Sequence, residues 1–195
     1  MSRAPQPARG RPQRIVLEGR FARLEPIAAA HAAQLFDAAG PERYTYLFST
    51  RPGDVAAMAA QIETAAKTDD PLIFAVIDKA TGRAEGYQSL MRITPEHGVI
   101  EIGGILWGDR IARTRVTTEA LFLFAQYAFD ALGYRRFEWN CNNTNEPSKA
   151  AALRFGFQFE GVFRQHMIIK GQNRDTAWFA MLDVDWPRIK AEYER

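Results

Sequence analysis

Three stretches of this chain hold residue types that can bind or move charge. From Cys141 to Glu160 it reads Cys-Asn-Asn-Thr-Asn-Glu-Pro-Ser-Lys-Ala-Ala-Ala-Leu-Arg-Phe-Gly-Phe-Gln-Phe-Glu. The pattern predicts a strand running into an Asn-rich turn and a short helix. Asn145 suits the cap, Pro147 the first turn, and Gly156 the left-handed position after the last turn. Such a turn at the carboxyl end of a strand aims backbone N–H groups and side-chain amides at a ligand. The second stretch, Arg110-Ile111-Ala112-Arg113-Thr114-Arg115, precedes another helix. Three guanidinium groups beside the positive end of a helix make an anion site suited to phosphate oxygens. The third is Glu101-Ile102-Gly103-Gly104. Its glycines remove side chains where a ligand backbone could come close. A carboxylate half-buried beside them has a raised pKa and could act as a base near neutral pH. Each stretch also has a plain structural reading: a capping loop, a solvated turn, a β-bulge with a glutamate paired to a neighbouring strand's arginine.

The elements that position these residues follow from periodicity. Arg14 to Pro26 alternates through Ile15, Leu17, Phe21 and Leu24, as a strand or loose hairpin does. Ala28 to Ala39 and Asp54 to Lys67 are alanine-rich helices; Tyr44 to Phe48 between them takes no clear assignment. Strands are predicted over Leu72–Asp78, Glu85–Ile93 and Val99–Leu106, parted by turns at Ala80-Thr81-Gly82 and Pro95-Glu96-His97-Gly98. A helix over Val116–Leu132, stopped by Gly133, is apolar nearly all round and must lie buried against a sheet. Then come the strand Arg136–Cys141, the short helix at Ser148, strands Gln158–Ile169 and Asp175–Leu182 turned through Lys170–Asn173, and a last helix, Asp185–Tyr193. The whole predicts one α/β domain, with a mixed sheet between helices on both faces.

A chain of 195 residues, 47% hydrophobic, can bury one sizeable core. No apolar run approaches the roughly 20 residues of a membrane helix, so no membrane partner is expected. Residues 1–14 carry Arg3, Arg9, Arg11 and Arg14, two prolines beside Pro12, and no acidic group. They lack the apolar core of a secretory signal and read as a disordered basic tail ahead of a domain over 15–195, with a mitochondrial-type presequence as the alternative. Those arginines exceed the whole formal charge of +2, so the body is slightly negative and no nucleic-acid partner is expected. The lone Cys141 excludes an intrachain disulfide and fits a reducing cytoplasm. His31, His97 and His166 lack metal-ligand spacing, so no metal is expected.

Asn145-x-x-Ser148 followed by a helix and Gly156-Phe157 closely resembles the C-terminal half of the GNAT N-acetyltransferases, nearest to their RimJ/RimL-like branch. Glu101-Ile102-Gly103, Thr118-Glu119-Ala120 and Asn173-Arg174-Asp175-Thr176 are similar to segments of the same branch. The resemblance implies a mostly antiparallel sheet with a V-shaped splay between the fourth and fifth strands, which here are Val99–Leu106 and Arg136–Cys141. It implies acetyl-CoA as co-substrate, its pantetheine along the end of the fourth strand (Ile105, Leu106, Trp107) and at Asn145. Its pyrophosphate falls at Arg110, Arg113, Thr114, Arg115, Val116, Thr117 and Thr118. The family's glycine-rich loop has no counterpart: its three fixed positions hold Ala112, Arg115 and Thr117. Glu101 takes the place of the carboxylate that draws off the amine proton, and Ser148 that of a hydroxyl near the CoA sulfur. The tyrosine that other branches use further along this helix is replaced by residues such as Leu153 and Phe155.

The implied acceptor is a primary amine, of a peptide or a small molecule, handled by a monomer or homodimer. Its choice is expected to lie around Tyr44 to Arg51 and near Lys170. Tyr87, Gln88, Arg164 and His166 are lesser candidates for the acceptor cleft, Asp175 for holding a turn, and Cys141 for the core. The rival readings are a non-catalytic acyl-CoA-binding protein and an interaction module.

Overall fold

The computed structural model describes residues 4 and 6–194. Eight strands form one sheet: β1 (Leu17–Glu18), β2 (Ala22–Pro26), β3 (Leu72–Asp78), β4 (Arg83–Thr94), β5 (Val99–Trp107), β6 (Arg136–Asn142), β7 (Gln158–Ile169) and β8 (Gln172–Leu182). Their order is β1-β2-β3-β4-β5-β6-β8-β7. Neighbours are antiparallel except β5 and β6, which run parallel. The N-terminal segment resolves into two strands, so the expected fourth and fifth strands are β5 and β6.

Helices cover both faces. α1 (Ala32–Ala38) and α2 (Val55–Ala65) lay Leu35, Met58 and Ile62 on Ala75, Ile77 and Ala84 of β3 and β4. Asp54 caps α2, its carboxylate accepting from Ala57 N at 2.7 Å. On the opposite face α3 (Arg115–Gln126), α4 (Glu146–Arg154) and α5 (Trp186–Tyr193) close the larger core around Phe74, Ile100, Phe124, Phe137 and Phe179. α3 ends in a π turn over Tyr127–Ala131 before Gly133, whose φ of 69° reverses the chain. Lys170 and Gly171 both take positive φ, a two-residue turn that lets β8 begin at Gln172, earlier than expected. Tyr44 to Phe48, unassigned from sequence, joins a 3-10 turn over Pro41–Tyr44 to irregular chain.

The expected disordered tail is corrected over its described part. Ala8 N donates to Pro95 O and Arg9 N to Leu132 O, both at 2.8 Å. Arg9 reaches the carbonyls of Asp130 and Ala131, where α3 runs out, and Arg11 that of Ile93. These arginines are spent on carbonyls at the end of a helix and of a strand, which is why a basic segment lies fixed on the body. Residues 1–3 and 5 fall outside the described residues.

Candidate active site

The parallel pairing of β5 and β6 covers four positions, from Val99 opposite Arg136 to Ile102 opposite Trp139. Beyond them β5 continues to Trp107 and β6 to Asn142 without pairing to each other. A bulge in β5 turns it aside. Tyr87 of β4 faces Leu106 and Ser89 faces Gly103, so Gly104 and Ile105 together stand opposite Gln88. Gly104 has φ +56°, and a Cβ there would lie 2.9 Å from Ser89 Oγ. Ser89 Oγ donates to Gly103 O at 2.7 Å and pins the bend. The glycines therefore serve the bulge, which leaves one edge of β5 open beside β6.

Trp107, Trp139 and Phe155 wall the α4 side of this opening, with ring centroids 6.0–6.4 Å apart. Asn145 caps α4, Oδ1 accepting from Ser148 N at 3.2 Å. Ser148 Oγ in turn accepts from Trp139 Nε1 at 3.0 Å. That bond occupies a lone pair of the hydroxyl and leaves its proton to donate elsewhere, beside the helix N-terminus. Cys141 is buried nearby, and burial pushes its thiol up, so it remains protonated at neutral pH.

Glu101 lies on the opposite face of the opening, level with Glu138 of β6. It is 3% exposed, and Arg92 Nε donates to its Oε2 at 2.5 Å. Burial pushes the carboxyl up to about 7, against the pull of the Arg92 charge. Glu101 is thus paired to a neighbouring strand's arginine, as its structural reading expects, with its carboxyl raised by burial. A Cβ on Gly103 would meet Met91 Sδ at 2.4 Å and Glu101 Oε1 at 3.1 Å, so that glycine makes room for these two side chains.

The arginine loop divides. Thr114 caps α3, its Oγ1 accepting from Val116 N at 3.2 Å and donating to Ile111 O at 2.7 Å. Arg113, exposed with φ +63°, takes a left-handed turn just before the cap. A left-handed residue at a helix start tips successive amides to one side, the backbone form of an anion cradle. Arg115 is also exposed, 5.5 Å from the ring of Phe21. Arg110 is a correction. Its Nε donates to Glu85 at 2.7 Å and a terminal nitrogen to Asp37 at 3.0 Å, binding the loop to β4 and α1. Glu85 is 1% exposed, so this buried carboxylate claims the cation that sequence assigned to phosphate.

Leu106 turns from the opening to pack with Ala39 and Tyr44, while Ile105, Trp107 and Val116 lean on the larger core. Thr117 and Thr118 give their hydroxyls to Thr114 O at 3.1 and 3.2 Å, and Thr118 N donates to the same carbonyl at 3.3 Å, so neither hydroxyl proton nor the Thr118 amide is left for a ligand. Gln88 is fully buried between Ala120 O and Trp107 Nε1, away from any acceptor. Tyr87 sits on the other face, where burial raises its hydroxyl. Asp175 holds the β7–β8 hairpin by accepting from Gln165 N at 2.7 Å and Asn173 Nδ2 at 2.9 Å. Sequence reasoning missed Glu119, whose carboxylate accepts from the amides of Arg20, Phe21 and Ala22 at 2.5–2.8 Å and shapes the β1–β2 turn. Sequence marked it only as a member of Thr118-Glu119-Ala120 and gave it no role, because its partners lie about a hundred residues away.

Residues 22–158 match the family model described as Acetyltransferase (GNAT) domain. The chain belongs to the GNAT family. A GCN5-related N-acetyltransferase from Brucella melitensis is 54% identical, with a TM-score of 0.94 over 98% of this chain and 88% of that one. The uncharacterized N-acetyltransferase YoaA of Bacillus subtilis is 34% identical over 101 residues, 51% of this chain; the match spans just under half, 47%, of that relative. A ribosomal-protein-S5-alanine acetyltransferase from Vibrio fischeri shares the GNAT fold with a TM-score of 0.66 at 17% identity, over 88% of this chain and 98% of that one. The opening between β5 and β6 is thus the splay expected of a GNAT sheet.

Proposed function

We propose that this protein transfers the acetyl group of acetyl-CoA to a primary amine by direct attack in a ternary complex, as a RimJ/RimL-like member of its family. The observation that carries the reading is the splay itself, with Glu101 on one face and Ser148 on the other. Pantetheine amides pair along the free edge of β5 as an added strand would. Pyrophosphate meets the first amides of α3 and the exposed Arg113 and Arg115. The thioester then lies in the splay. The amine approaches from the Glu101 face and forms the N–C bond as the C–S bond breaks. Glu101 takes the ammonium proton, directly or through water, and the Ser148 hydroxyl donates to the departing thiolate. A covalent route through Cys141 is disfavoured by its burial and raised pKa.

Thiol release from acetyl-CoA against a panel of peptide and small-molecule amines tests this. Acetylation of at least one amine is expected. If acetyl-CoA raises the melting temperature but no amine is acetylated, the protein is an acyl-CoA-binding protein without transferase activity.

A further inference from the structure

Arg174 is the one buried cation among the described residues, 6% exposed, and it forms no ion pair there. Its guanidinium lies 4.9 Å from the ring of Phe48, and its Nε donates to Thr176 Oγ1 at 3.2 Å. By strand alternation it shares a sheet face with Thr176 and Trp178, and through the β6–β8 register with Asn140, on the Glu101 side of the splay. Trp178 Nε1 is buried there without a hydrogen-bond partner among the described residues, and Asn140 Nδ2 has none at full hydrogen-bond geometry, although its amide faces Glu101 and favours that carboxylate's charge. Thr176 Oγ1, already accepting from Arg174, also lies 3.0 Å from His166 Nδ1. The face therefore gathers N–H donors, while its buried carboxylate, Glu101, is engaged by Arg92. Glu138, the next acid along β6, is held by Arg136 at 2.6 Å.

A buried guanidinium without an ion pair, on a face that also holds an orphan indole N–H, is costly unless an anionic acceptor completes it. Resting on the acetyl-transfer reading above, we propose that Arg174, with Asn140 and Trp178, forms a carboxylate subsite, so that the acceptor is an amine bearing a carboxylate. The guanidinium holds the carboxylate while the amine points to Glu101 and the thioester. Phe48 covers the guanidinium, and the segment carrying it is tied down by Lys170 Nζ on Tyr44 O at 2.8 Å and Tyr46 on Thr144 O at 3.2 Å. A polyamine meets an uncompensated positive charge here and is disfavoured. Burial also lowers the pKa of Arg174, with the nearby Arg92 charge adding to the shift, and a bound carboxylate would oppose both.

The carboxylate could be that of a free amino acid or an acidic side chain next to a peptide's N-terminus, and separate arms distinguish them. Full-length protein with saturating acetyl-CoA is offered each proteinogenic amino acid against its carboxamide, and the peptides Ala-Asp-amide against Ala-Asn-amide. In at least one arm the acid should exceed its amide in kcat/KM by roughly 10–100-fold, the worth of a hydrogen-bonded charge. Arg174→Gln should raise KM for the acid by a similar factor and move KM for the amide less than about threefold, and Arg174→Lys should recover part of the loss. The wild-type comparison stands even if a variant fails to fold. Equal or better use of the amide in both arms overturns the subsite and leaves acetyl transfer intact. Equal loss on acid and amide in Arg174→Gln overturns it as well. Failure to acetylate any amine, acidic or neutral, overturns both readings.

Discussion

Glu101→Gln keeps the shape of the side chain and removes its titration, and two independent quantities follow. In the folded protein burial holds this carboxyl at about 7 against an ordinary 4.5. The sign is that of a raised acid: the neutral form is favoured, so its contribution to stability is fully present below about pH 4.5 and lost as pH rises through 7. At roughly 1.4 kcal/mol per pH unit the loss is about 3 kcal/mol. The glutamine variant has no such loss, so relative to wild type it should gain on the order of 10 °C in Tm between pH 4.5 and pH 8. For catalysis, the wild-type-to-variant ratio of kcat/KM cancels the amine's own titration. It should reach about 10²–10⁴ just above neutrality and fall about tenfold per unit below pH 7 as Glu101 takes up its proton. Thiol release at pH 5.5 to 9.5, with melting curves in the same buffers, reads both quantities. A ratio within about threefold of unity throughout, with acetyl-CoA affinity intact, refutes the base role and leaves catalysis to placement of the amine. A Tm difference that does not move with pH refutes the reasoning from burial.

Acetyl-CoA at about 100 times its Kd should stabilise the fold by roughly 2.7 kcal/mol, read as a rise in melting temperature. Arg113→Gln with Arg115→Gln should weaken CoA more than pantetheine in calorimetric titration, whereas Arg110→Gln should lower Tm without that selectivity, since it strips the buried Glu85 of one of its two arginines and leaves Arg83 alone to hold it. Ser148→Ala should lower kcat at every pH, because helping a thiolate leave does not depend on the amine's charge, and Trp139→Phe should reproduce part of that loss by releasing the hydroxyl from its 3.0 Å bond. Glu119→Ala should cost about 2–4 kcal/mol in denaturant unfolding, as three backbone donors lose a carboxylate.

Periodicity and turn chemistry carried most of the fold. β3 and β7 lie where alternation placed them, and Asn145 and Gly156 bound α4 as their types require. What eluded the sequence depends on partners far along the chain. Arg110 looked like an anion ligand until Glu85 and Asp37 were brought beside it, and Arg9 and Arg11 looked like disorder until the carbonyls of Ile93, Asp130 and Ala131 met them. Gln88 differs from Tyr87 only by the side of the pleat it occupies, which a strand buried on both faces around it does not declare. The site residues within local motifs, Asn145, Ser148 and Glu101, were legible as candidates. The donor Trp178 was not, because an orphaned N–H becomes visible only when every possible acceptor has a position.

The parallel pair β5 and β6, the one such pair among the described residues, has a geometric consequence. A hairpin can join antiparallel neighbours, but β5 can reach a parallel β6 only by sending the chain back along the length of the sheet, and α3 is that return path. A return path must start where β5 ends. The first turn of α3 is therefore delivered to the same end of the sheet at which β5 and β6 part, whatever residues fill the loop between them. Chain connectivity, rather than any sequence signature, fixes the separation between a helix start that can hold an anion and a gap that can admit an acyl chain. Replacing Arg115 and Thr117 by glycine changes how that end grips its ligand; moving the grip would require rethreading the sheet.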